Sequence, residues 1–134
     1  MKIEGACHCG NISYEAEIDP EDVAVCHCTD CQILSGSAYR TIVSVTDDKL
    51  LFSGGSPKIY IKEAESGNPR QQAFCPECGT QLYATAVGDG PKTYGIRLGT
   101  ARQRDQLPPK KQLWCRSALD WVMDLENVPT VEKQ

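Results

Sequence analysis

The sequence predicts a mainly β fold of several short antiparallel strands with cysteine knuckles at their ends. Three observations predict it. Most segments between glycine and proline breakers are short and either alternate or concentrate β-branched residues. Only two segments suit helical turns. Seven of the eight cysteines fall into three tight groups.

Taken in order, residues 11–18 alternate and put Ile12, Tyr14, Ala16 and Ile18 on one face of a strand. Residues 39–45 are rich in β-branched side chains, and residues 50–52, 58–62, 81–86 and 93–98 are further strand candidates. Residues 29–35 and 117–125 are the two helical candidates. The polar stretch 63–70, with Gly67, Asn68 and Pro69, reads as a loop. Residues 87–92 read as a turn, and residues 101–111, with Pro108 and Pro109, as a long connection.

At 134 residues the chain is expected to be one domain, residues 1–134, with a core of modest size. Two Trp, two Phe and five Tyr supply little aromatic surface, so something besides apolar burial is expected to hold the fold. The net charge of −4 and pI near 5.1 argue against nucleic acid or an anionic membrane as partner. Met1 is followed at once by Lys2, Ile3 and Glu4, and no stretch approaches the ~20 apolar residues of a membrane span. The expectation is a cytoplasmic protein with reduced thiols, in which cysteines are metal ligands rather than disulfides.

Cys75-Pro76-Glu77-Cys78-Gly79 is the strongest local signal. Such a turn aims two sulfurs at one tetrahedral zinc ion, and Gly79 supplies the backbone freedom the turn needs. Cys7 and Cys9, on extended backbone, complete a four-thiolate set that pins the N-terminal strand to the middle of the chain. Cys26, Cys28 and Cys31 remain. Three readings stay open for this trio: a zinc site whose fourth position is free for chemistry, one closed by Cys115, His27 or Asp30, or no bound metal. His8 and His27 each lie between two cysteines, where extended backbone turns them away from the metal. His27 is worth testing as a proton shuttle. Cys115 otherwise reads as a small buried hydrophobe.

Taken together, Gly5 to Gly10 (G-x-C-x-C-G), Cys26 to Cys31 (C-H-C-T-D-C), Ser35 to Tyr39 (S-G-S-A-Y) and Phe74 to Thr80 (F-C-P-E-C-G-T) resemble the glutathione-dependent formaldehyde-activating enzyme family, which shares its domain with centromere protein V. Leu98-Gly99-Thr100, Trp114 and Trp121 extend the resemblance over residues 3–122. It implies an Mss4-like fold of small twisted sheets. It also implies a structural zinc on Cys7, Cys9, Cys75 and Cys78, and a catalytic zinc on Cys26, Cys28 and Cys31. Two zinc ions per chain are expected, the second site being open to partial occupancy.

The implied activity is that of a carbon–sulfur lyase joining glutathione, a small-molecule thiol partner, to formaldehyde as S-hydroxymethylglutathione. Ser35, Ser37 and Arg40 are candidate glutathione contacts. Their plainer readings are turn-forming serines and a solvated surface arginine. The alternative function is a non-catalytic, zinc-stabilised protein-binding module. A thiol-redox or metal-handling role ranks below both, for want of a thioredoxin-like pattern.

Overall fold

The computed structural model describes residues 1–64 and 66–134. In chain order its strands are β1 (Lys2–Ala6), β2 (Ile12–Glu17), β3 (Val23–Cys26), β4 (Arg40–Thr46), β5 (Leu50–Gly54), β6 (Lys58–Glu63), β7 (Pro69–Phe74), β8 (Gln81–Ala86), β9 (Thr93–Arg97) and β10 (Lys111–Leu113). One α-helix, α1 (Thr29–Ser35), lies between β3 and β4. A three-stranded sheet runs β1-β2-β5, and a seven-stranded sheet runs β10-β3-β4-β9-β8-β7-β6. Every pairing is antiparallel except that of β10 with β3, which is parallel and departs from the expected all-antiparallel pattern.

The core fills the space between the two sheets. The alternation of residues 11–18 delivers Ile12, Tyr14, Ala16 and Ile18 to it, where they join Ile3, Val43, Val45, Ala73, Leu82 and Ile96. A line of rings crosses from one sheet to the other. Tyr14 lies 6.0 Å from Phe52, Phe52 lies 5.0 Å from Tyr83, and Tyr83 meets Tyr94 edge-on at 5.0 Å.

Three expectations need correction. The 63–70 loop is shorter than expected, because Glu63 ends β6 while Pro69 and Arg70 begin β7; residue 65 of that stretch lies outside the described residues. Pro69 is tolerated because it opens its strand. The helical candidate at 117–125 forms only isolated turns, such as Val122 N–H to Leu119 O at 3.0 Å. It has no continuous apolar stripe facing the core: Trp121, Met123 and Leu125 are exposed and only Val122 is buried. The 101–111 connection ends in a strand, since Lys111 begins β10.

Gly5 sits directly opposite Tyr14 in the β1–β2 ladder. A Cβ at Gly5 would run into the Tyr14 ring. The ring cannot swing clear: Tyr14 is buried, and its hydroxyl lies 2.9 Å from Thr100 Oγ1, which itself donates to Arg97 O at 2.7 Å. Gly5→Ala is therefore expected to destabilise the metal-loaded protein by about 1–3 kcal/mol in urea unfolding. In a Tyr14→Leu background the same substitution should cost clearly less.

Candidate metal centres and the cleft between them

The four-cysteine group is assembled from two turns. Between β1 and β2 the chain folds back at Cys7-His8-Cys9-Gly10, with Gly10 N–H donating to Cys7 O at 3.0 Å and Gly10 at φ +79°. This pair was expected on extended backbone; a closed turn aims both sulfurs inward instead. Between β7 and β8, Gly79 N–H donates to Cys75 O at 2.8 Å, and Gly79 takes φ +77° as the motif required.

The four sulfurs lie within 4.8 Å of one another. Cys7 Sγ is 3.6 Å from Cys9 Sγ, which is 3.7 Å from Cys75 Sγ. Sulfurs about 2.3 Å from one tetrahedral ion stand about 3.8 Å apart, so the spacing suits a single bound metal. Ile12 N–H donates to Cys7 Sγ at 3.3 Å. Thr80 Oγ1 accepts from His8 N–H at 3.0 Å and lies 3.2 Å from Cys78 Sγ, so one hydroxyl joins both turns. That hydroxyl, with the backbone N–H groups of Thr80 and Cys9, draws the Cys78 thiol down to about 5. Such a shift favours the thiolate a metal requires.

Cys26, Cys28 and Cys31 form the second group, their sulfurs also within 4.8 Å of one another. Cys26 is the last residue of β3. Cys28 caps α1: its backbone is still extended (φ −61°, ψ 151°) and its Sγ accepts from Cys31 N–H at 3.2 Å. α1 stops at Gly36, φ +65°, whose N–H reaches Gln32 O and Ile33 O. Cys31 hydrogen-bonds to Cys26, which holds the Cys26 thiol below its ordinary value.

The three side chains weighed as a fourth ligand are engaged elsewhere. Asp30 pairs with Lys62 at 2.8 Å, tying α1 to β6. His27 is buried, with Nε2 2.8 Å from Gln112 Oε1 and its ring against Tyr39. Cys115 is exposed, which corrects the expectation of a buried hydrophobe, and its Sγ lies 3.7 Å from Gln112 O. It stands in the short turn Cys115–Ser117, none of whose residues is buried.

A cleft of about 470 Å³ is walled by Ser35, Tyr39, Arg40, Gly79, Gln81 and Arg97, among others. It therefore borders α1, which carries Cys31, and the turn that carries Cys78. Its size suits a small-molecule ligand. Ser37 is exposed beyond the end of α1, and its N–H donates to Gln32 O at 3.3 Å. Arg40 is buried rather than solvated; it leaves β4 on the face opposite the core residues Val43 and Val45, where Gln72 and Arg97 pack beside it. Gln72 Oε1 accepts from Arg97 Nη2 at 2.7 Å and from Arg40 Nη1 at 3.3 Å. Sequence reasoning missed Arg97 and Gln72, since only the strand register brings them together. Thr80 was visible in the F-C-P-E-C-G-T motif, without its task.

Cys75→Ser is expected to remove the ion of the four-cysteine group from elemental analysis. It should also lower the calorimetric unfolding midpoint by more than ~5 °C. Cys115→Ser should change neither.

A relative in Schizosaccharomyces pombe, named as an uncharacterized lyase, is 28% identical over 93 residues, covering 69% of this chain and 64% of the relative. The match thus spans slightly less than two thirds of that protein's length. A crystal structure of a Rhodobacter sphaeroides protein shares the fold with a TM-score of 0.60 at 19% identity, covering 81% of this chain and 98% of the other. The model of the family described as glutathione-dependent formaldehyde-activating enzyme matches residues 2–117. With most of its length so matched, the chain belongs to the glutathione-dependent formaldehyde-activating enzyme family.

Proposed function

We propose that this protein is a zinc-dependent carbon–sulfur lyase that joins glutathione to formaldehyde as S-hydroxymethylglutathione. The observation that carries the reading is a group of three cysteines, with no fourth ligand among the described residues, beside a cleft of substrate size. Family membership and a relative named as a lyase support it. Both cysteine groups would hold zinc, one closed and structural, the other open. A zinc ion on Cys26, Cys28 and Cys31 supplies a position for a substrate thiol and lowers its pKa.

The chain's own residues then do the positioning. Cys28 and Cys31 are fixed by the capped first turn of α1, and Cys26 by the β3–β4 ladder, so the three sulfurs present one face. Ser35 and Arg40 wall the cleft in which the tripeptide would lie, with Ser37 beyond the end of α1. In the reaction a bond forms between the thiol sulfur and the aldehyde carbon. The carbonyl oxygen takes up the proton the thiol gives up, and no redox partner is needed. A cytoplasmic setting would keep the ligand thiols reduced, and residues 3–122 would form the core of a single functional domain.

Protein loaded at both groups should form S-hydroxymethylglutathione faster than the uncatalysed addition followed in parallel by NMR. Cys31→Ser should reduce this excess to background while retaining the ion of the four-cysteine group. No excess from fully loaded protein would exclude the named activity.

A further inference from the structure

One face of the seven-stranded sheet carries buried positive charge that no carboxylate among the described residues neutralises. Cys26 and Arg40 stand directly opposite each other in the β3–β4 ladder. Arg97 stands opposite Ile42, two residues beyond Arg40, so all three side chains leave the same face. Gln72 reaches that face through its register with Ala84, which pairs with Gly95. Arg40 and Arg97 are only 6% and 7% exposed. They share one neutral acceptor, Gln72 Oε1. Arg40 Nε and Nη2 and Arg97 Nε are buried and have no hydrogen-bond partner among the described residues. Among the described residues no carboxylate pairs with either guanidinium.

Two buried guanidiniums side by side oppose folding unless opposite charge lies near. Burial, followed by the Arg40 charge, pulls Arg97 down to about 9, while the Cys31 and Cys26 thiolates act in the other direction. The sulfurs are the compensating charge this face offers. Because the unpartnered N–H groups are closed off from solvent, a substrate in the cleft cannot reach them directly.

We propose that Arg40 and Arg97 are the built-in counter-charge of the Cys26–Cys28–Cys31 centre, positioning residues that hold a metal–thiolate group of net negative charge. The proposal rests on reading the trio as a metal centre and not on the identity of the thiol or aldehyde. Three thiolates around a divalent cation leave one negative charge, and a bound substrate thiolate makes two. Two guanidiniums offset both. In the interior this attraction is only weakly screened by salt.

The test is zinc affinity, with the four-cysteine group as internal control. Competition with a chromophoric chelator should resolve two binding steps, and Cys31→Ser assigns the step that disappears to the trio. Arg97→Gln and Arg40→Gln should weaken the trio step by about 10- to 100-fold and leave the other step unchanged. Arg97→Lys, which keeps the charge but not the fork, should retain most of the affinity. Gln72→Glu places a carboxylate of nearly the same size between the two guanidiniums and should weaken the trio step in a protein that keeps its fold. That variant decides the matter if the arginine variants lose both steps.

A trio step unmoved by Gln72→Glu, or weakened as much by Arg97→Lys as by Arg97→Gln, overturns the counter-charge role alone. A wild-type protein lacking the second step overturns it together with the metal reading beneath it.

Discussion

The convergence of four sulfurs from two distant turns is the constraint on which the rest of this molecule depends. The β1–β2 turn belongs to the small sheet and the β7–β8 turn to the large one, so bringing Cys7 and Cys9 to Cys75 and Cys78 fixes one sheet against the other. The aromatic line from Tyr14 to Tyr94 joins the same two sheets by apolar contact. In a chain with so few aromatic residues, an ion coordinated there would supply the cross-link that a larger core otherwise provides. The clamp also has a functional face. Gly79, which closes the second turn, is part of the cleft wall. The four-cysteine group thereby shapes a cleft that also borders the helix carrying Cys31.

Much of this was legible in the chain because it rests on local periodicity and ligand spacing. The alternation from Ile12 to Ile18 has only one amphipathic solution, and α1 spans the residues that read as the first helical candidate. The cysteine groups were readable because coordination demands sulfurs in pairs a few residues apart. What was not legible is long-range register. β3 is buried along all four residues, so it has no alternation to read. β7 contains Arg70, Gln71 and Gln72, polar residues that become strand only through their neighbours on both sides. β10 is exposed and three residues long, and its parallel pairing with β3 has no local signature. Arg97 and Gln72 were invisible for the same reason: nothing in the order of residues says that two guanidiniums will share one amide.

The two cysteine groups use one residue type for different ends, and their surroundings account for the difference. Thr80 and backbone N–H groups serve the four-cysteine set, complete in itself at the junction of the sheets. The trio has a cleft on one side and buried cationic side chains within reach of its charge. Polar hydrogen bonds close the first; buried positive charge and a neighbouring cleft characterise the surroundings of the second.

Cys28 performs two duties with one atom. Its sulfur terminates the helix by accepting Cys31 N–H, and the same sulfur belongs to the trio. A metal held by the trio would therefore draw on the same sulfur that starts α1, so that ion binding and the first turn of the helix leading to Ser35 and the cleft edge share one atom.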